Sequence, residues 1–148
     1  MARVYLAIQR GFERPVALKI NAPELAANEE FGKRFLREAR IVGMLSHPHI
    51  VPVYDVGEHK GLLYLAMEIL ADGDLRSRMI KPLDEDVALE ITRQLASALG
   101  YAHKKGFIHR DVKPDNVLFR DVDTAVLTDF GIARAAEDSE DVTQITQV

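Results

Sequence analysis

One segment constrains the fold more than any other. In PLDEDVALEITRQLASALGYAHKKG, the residues Val87, Ile91, Leu95, Ala98 and Ala102 recur at helical spacing among polar neighbours. That is the pattern of an amphipathic helix with one face to bury. Asp84 stands where an N-cap is needed, and Glu85 and Asp86 suit the positive end of the helix dipole. Lys104, Lys105 and Gly106 close the segment as helix C-termini close. Such a helix needs a partner surface, and the sequence around it is of a different kind.

Upstream, the chain alternates. Val4, Leu6 and Ile8 mark one strand, Gly11 and Phe12 fall in a connection, and Pro15 opens a second strand, PVALKI. A helix over about 28–45 follows, carried by Phe31, Phe35, Ala39 and Val42. SHPHIVP interrupts it with two prolines, and strands are expected over 51–56 and 62–67 around a turn in GEHKG. Downstream of the long helix come two short strands, NVLF and AVLTDF, with RDVDT between them. From Arg134 the chain is polar and acidic, as a loop would be. There is no internal repeat and no low-complexity tract. A strand-rich first half with one helix, followed by a long helix and two short strands, makes an α+β chain.

Composition bounds the partners. The chain has 148 residues, enough for one core, and a formal net charge of −4. Nucleic acid and anionic membrane both call for a basic face, so neither is expected. The absence of cysteine excludes disulfides and thiolate metal sites and suits a reducing, cytoplasmic setting. The best apolar run, Leu62 to Met67, is far short of the roughly 20 residues of a membrane span. The N-terminus lacks the form of a signal peptide.

The chemistry concentrates in HRDVKPDN, His109 to Asn116, directly after the long helix. Phosphoryl transfer asks a protein to hold phosphates and metal and to orient an attacking hydroxyl, with little covalent work of its own. Asp111 is the candidate orienting carboxylate. Lys113 is placed to neutralise a transferring phosphoryl group, and Asn116 to ligate a metal. Asp129, in DFG, is the candidate principal metal ligand. Oxygen donors of this kind suit Mg²⁺, which keeps few protein ligands beside phosphates and water. Lys19, in VALK, is placed on a strand to reach phosphate oxygens, with Glu38 of the first helix as its acidic partner. Taken singly, a strand-end lysine or a helical glutamate is ordinarily a solvated surface residue. An Asp-Phe-Gly turn alone recurs by chance. The order of charges in HRDVKPDN is harder to explain as packing.

Together, VALK, a helix glutamate, HRDVKPDN and DFG, in this order and with these elements between them, resemble the protein kinase family. MARVYLA, HPHIVPVYDVGE and DFGIARA resemble its bacterial serine/threonine members, and Lys113-Pro114 resembles the serine/threonine form of the loop. The resemblance implies a two-lobe fold: a small lobe over 1–67, a hinge over 68–73 and a large lobe from 74. It implies ATP and Mg²⁺ as cofactors and a serine or threonine of a protein as acceptor. Met67 resembles a gatekeeper, Glu68 and Leu70 the backbone contacts to adenine, and Asp74 the acid near the ribose. Val4, Ala17 and Leu118 resemble the apolar residues around adenine. Val42, Val53, His109 and Phe130 resemble the stacked side chains that link the lobes. Arg110 resembles the arginine that binds a phosphorylated activation loop, which implies Thr143 and Thr146, and more weakly Ser139, as phosphorylation sites.

Two features depart from the family pattern. The glycine-rich phosphate loop would precede Met1, and the pattern runs on past VTQITQV to an Ala-Pro-Glu-like motif and further helices. The fold is therefore expected to be incomplete, with apolar surface left for self-association. The alternative function is an inactive, kinase-derived module that binds nucleotide or a partner.

Overall fold

The computed structural model describes residues 2–21 and 28–131. They fall into two compact units: the described residues of Met1–Met44 with Val53–Glu68 and Gly131, and Leu45–Pro52 with Ile69–Phe130. The chain thus leaves the first unit at Met44, contributes a short segment to the second, and returns.

The first unit is a four-stranded antiparallel sheet with one helix. Strands β1 (Arg3–Gln9), β2 (Arg14–Ile20), β3 (Val53–His59) and β4 (Leu62–Met67) lie in the order β1-β2-β4-β3. Register places Val4 opposite Lys19, Leu6 opposite Ala17, Ala17 opposite Met67 and Lys19 opposite Leu65. Opposed residues project to one face of a sheet, so Val4, Leu6, Ala17, Lys19, Leu65 and Met67 share a face. The β3–β4 turn is Lys60-Gly61, with φ of +50° and +72°. This is the two-residue hairpin geometry in which both residues take positive φ, and the glycine does so without steric cost. Gly57 is needed for another reason: a Cβ there would lie 2.7 Å from the Tyr64 hydroxyl across the strand pair.

Helix α1 (Glu29–Gly43) starts where Asn28 accepts a hydrogen bond from the Phe31 amide at 3.0 Å. Phe31, Phe35, Ala39 and Val42 are buried, as their spacing predicts, and the two phenylalanine rings stack at 6.3 Å. The β1 side chains behave differently. Val4, Leu6 and Ile8 are apolar but exposed, at 60%, 78% and 61%. Alternation identifies the strand correctly, but β1 is at the sheet edge and its apolar face is uncovered among the described residues.

The second unit holds a short helix α2 (Leu75–Arg78), the long helix α3 (Glu85–Lys104), a 3₁₀ turn (Pro114–Asn116), and the hairpin β5 (Val117–Phe119) with β6 (Ala125–Leu127). Its core is Ile50, Ile91, Ala98, Ala102, Phe107, Val117, Phe119, Val126, Leu127 and Phe130. Phe119 is fully buried, which at roughly 25 cal/mol per Å² stabilises by about 1.5–3 kcal/mol. Arg78 lies 3.4 Å over its ring. The guanidinium donates to the Asp72 carboxylate at 2.8 Å and the Val122 carbonyl at 2.6 Å, which ties α2 to the hairpin turn.

Helix α3 corrects two expectations. Its buried line is Ile91, Gln94, Ala98 and Ala102, while Val87 is 45% exposed and Leu95 only half-buried. An amide sits in the middle of the buried line because it has polar backbone to satisfy, as described below. Asp84 does occupy the N-cap, with extended backbone, but makes no side-chain cap bond. Helix α2, absent from the sequence reading, is short and is capped by Asp74, whose Oδ1 accepts from the Ser77 amide at 2.7 Å. No described helix is long and apolar enough to cross a membrane.

Candidate active site

In the first unit, the sheet register sets four of the residues singled out from sequence on one face: Val4, Ala17, Lys19 and Met67. Met67 is buried, Ala17 and Lys19 are half-buried, and Val4 is exposed. Glu38 is half-buried on α1, three residues after Phe35 and four before Val42, on the flank of the helix that faces the core. Glu68, half-buried, closes the unit at the end of β4.

In the second unit, the segment after β4 pairs with β5. The Asp72 amide donates to the Phe119 carbonyl at 3.2 Å, the Phe119 amide to the Gly73 carbonyl at 3.0 Å, and Asp74 bridges to Leu118. Leu70, Asp74 and Leu118 are all half-buried. Asp74 thereby caps α2 and stands beside Leu118 at the same time.

HRDVKPDN is held by a closed circuit of hydrogen bonds. The Asp111 amide donates to His109 Nδ1 at 3.2 Å, and His109 Nε2 contacts the Thr128 carbonyl at 2.9 Å. A carbonyl only accepts, so Nε2 carries the proton and the imidazole is neutral. The Thr128 amide donates to the Asn116 carbonyl at 2.9 Å. Asn116 Nδ2 then returns to Asp111, to its carbonyl at 2.7 Å and to Oδ2 at 2.9 Å. His109 and Asn116 are 1% and 5% exposed, so these bonds are made where water does not compete. Burial pushes His109 below its usual pKa, against the pull of the Thr128 bond and the Asp111 and Asp129 charges. The ring also packs against Phe130, with centroids 4.5 Å apart and planes tilted at 45°.

The charged atoms sit on this frame. Lys113 Nζ lies 3.0 Å from Asp111 Oδ2. Asp129 follows Thr128 directly and has φ +54°, and Arg110 has φ +63°. Positive φ costs a non-glycine residue on the order of 1 kcal/mol or more, and of four such residues among those described one lies within this loop and one directly follows Thr128. Arg110 is exposed. Asp115 pairs with Arg76 at 3.1 Å, which holds its carboxyl below the usual range. Thr143, Thr146 and Ser139 lie outside the described residues.

The donor set fits a hard divalent cation. Both Asn116 bonds to Asp111 use Nδ2, so Oδ1 is the atom of that side chain with electron pairs for a metal. Asp129 adds a carboxylate, and amide and carboxylate oxygens are the ligands Mg²⁺ takes.

Comparison with known proteins decides the family. The protein kinase domain family matches residues 1–147. The chain belongs to the protein kinase family. It is 44% identical over 140 residues to the serine/threonine-protein kinase PknD of Mycobacterium tuberculosis, matching 93% of this chain and 21% of that protein. To PknE of Mycobacterium bovis it is 44% identical over 147 residues, 98% of this chain and 26% of that protein. The chain thus spans about a quarter or less of these relatives. Among solved structures, the PknI kinase domain of M. tuberculosis superposes with a TM-score of 0.78 at 40% identity, covering 89% of this chain and 54% of that one. Rad53 in complex with AMP-PNP superposes with a TM-score of 0.78 at 33% identity, covering 88% of this chain and 35% of that one. The α+β, kinase-like reading of the fold is therefore correct, and the chain spans part of that fold.

Sequence reasoning missed Gln94 and His49. A glutamine at the centre of the 91–98 apolar stripe was a usable signal, because a buried amide must be satisfied. His49 carried no local signal at all.

Proposed function

We propose that this chain belongs to an ATP-dependent serine/threonine protein kinase and carries its phosphoryl-transfer residues. The observation that supports this best is the circuit through His109, Asp111, Asn116 and Thr128, which fixes the Asp111 carboxylate relative to the Asn116 amide and to the backbone that leads into Asp129. Asp111 orients the acceptor hydroxyl and takes its proton. Lys113, ion-paired to Asp111, offsets negative charge on the transferring group. Asn116 Oδ1 and Asp129 hold Mg²⁺, which when bound neutralises phosphate oxygens. Lys19 binds phosphate, and Glu38 holds Lys19. Val4, Ala17, Met67 and Leu118 surround the adenine, Glu68 and Leu70 offer backbone groups to its edge, and Asp74 binds the ribose.

Lobe boundaries at 67 and 74 go with this reading. So do a cytoplasmic location, where ATP and reduced conditions coincide, and regulation by phosphate on Thr143 or Thr146 paired with Arg110. Leu89, Ile108 and Val112, exposed at 60%, 61% and 52%, are the surface for any self-association.

The test is Asp111→Ala in the full-length protein. Transfer to a protein substrate is expected to fall by at least about a thousandfold, the order expected when a positioned carboxylate is lost. Nucleotide affinity is expected to change little. Undiminished turnover would show that another group does this work.

A further inference from the structure

The strand that delivers Asp129 is gripped from outside the catalytic loop. At Ala125, the start of β6, Gln94 Oε1 of α3 accepts the amide at 2.8 Å, and His49 Nδ1 contacts the carbonyl at 2.8 Å. A carbonyl only accepts, so Nδ1 of His49 carries a proton, in its neutral tautomer and its cation alike. Both backbone polar groups of a buried strand residue are thus satisfied by side chains from two other segments.

The grip is continuous along the strand. The Leu127 amide donates to the His49 carbonyl at 2.9 Å, and the Val51 amide donates to the Leu127 carbonyl at 3.0 Å. Ile50 bridges Leu127 in parallel. On the other edge β5 runs alongside Ala125, Val126 and Leu127, with Phe119 opposite Ala125. Gln94 is itself held: Nε2 donates to the Asp123 carbonyl at 2.8 Å and to Glu90 at 2.9 Å, and Glu90 is also bound by Arg93. None of His49, Gln94 or Ala125 belongs to the proposed metal or nucleotide contacts.

The geometry points to His49 and Gln94 as positioning residues for the metal ligand Asp129. A strand paired on both edges moves along its axis only as a unit, so fixing the peptide at Ala125 fixes where β6 ends and Asp129 begins. Loss of either bond orphans a buried backbone group, which the strand relieves by shifting, and Asp129 shifts with it. Outer groups that orient a ligand typically cost about tenfold or more in metal affinity when removed. This inference rests on the kinase reading.

The test uses the full-length protein, Mn²⁺ as an EPR-visible ion and a non-hydrolysable ATP analogue. Wild type is expected to bind Mn²⁺ in a manner abolished by Asp129→Asn. Absence of that site would overturn the kinase reading and this inference with it. His49→Phe keeps a ring without a donor, and is expected to weaken Mn²⁺ binding about tenfold. His49→Asn restores a donor, and is expected to come within about twofold of wild type. Gln94→Leu, which removes the bond to the Ala125 amide, is expected to match His49→Phe and serves if that variant does not fold. With the Asp129-dependent site present, folded His49→Phe and Gln94→Leu proteins that bind Mn²⁺ like wild type would refute the positioning role. So would a folded His49→Asn no better than His49→Phe.

Discussion

His109 shows how much a single side chain can carry. It is buried and neutral, it accepts from the Asp111 amide, and it donates to the carbonyl beside Asp129. A second ring proton, on Nδ1, would end the acceptance from Asp111 and place a charge in the core. Its folded pKa is depressed, so between that value and its unfolded value near 6.5 the unfolded chain binds more protons. Stability from this histidine is therefore full above about pH 6.5 and is lost as pH falls below it. His47 acts in the same direction, its pKa lowered first by burial and then by His49. The depressed carboxyls, Glu90 at about 2 among them, titrate lower and stay out of this window. Thermal melts are expected to fall between pH 7.5 and 5.5. His109→Phe is expected to flatten part of that slope; an unchanged slope would assign it to other groups.

At the scale of elements, local sequence was a good guide wherever local forces dominate. Helix α1 begins at its cap: Asn28 binds the Phe31 amide, and Glu29 and Glu30 follow in the first turn. Asn28→Ala is expected to cost about 1 kcal/mol, measured by denaturant titration, because an amide at the helix start loses its partner. A midpoint unmoved by the change would mean that solvent replaces the cap. The same logic located β2, β4 and α3 from periodicity. It misjudged α3's buried line, since Gln94 and Leu95 both fit the helical period and hydropathy ranks Leu95 above Gln94. It could not find α2, whose four residues are too few to show a period.

For the whole molecule, the two units divide the chemical residues between them. Val4, Ala17, Lys19, Glu38, Met67 and Glu68 lie in one, and Leu70, Asp74, Asp111, Asn116, Leu118 and Asp129 in the other. Val42 and Val53 belong to the first, His109 and Phe130 to the second. Ligand binding gives a test at this scale. If these residues bind Mg·ATP, the ligand at about 100 times its Kd is expected to stabilise the folded protein by about 2.7 kcal/mol. The readout is a melting temperature that rises with ligand; one independent of Mg·ATP would count against a nucleotide site in this chain.

The sequence by itself determined the strands, the two long helices and the chemical groups. Alternation and helical spacing act over a few residues, and the order VALK, HRDVKPDN, DFG names carboxylate, amide and lysine without reference to shape. Only the tertiary structure decided how those groups are held. The circuit at Asp111 closes through Thr128, 19 positions from His109, and the grip on Ala125 joins residues 31 and 76 positions apart. No local period encodes such bonds, because they form only where folding buries backbone groups that then require partners.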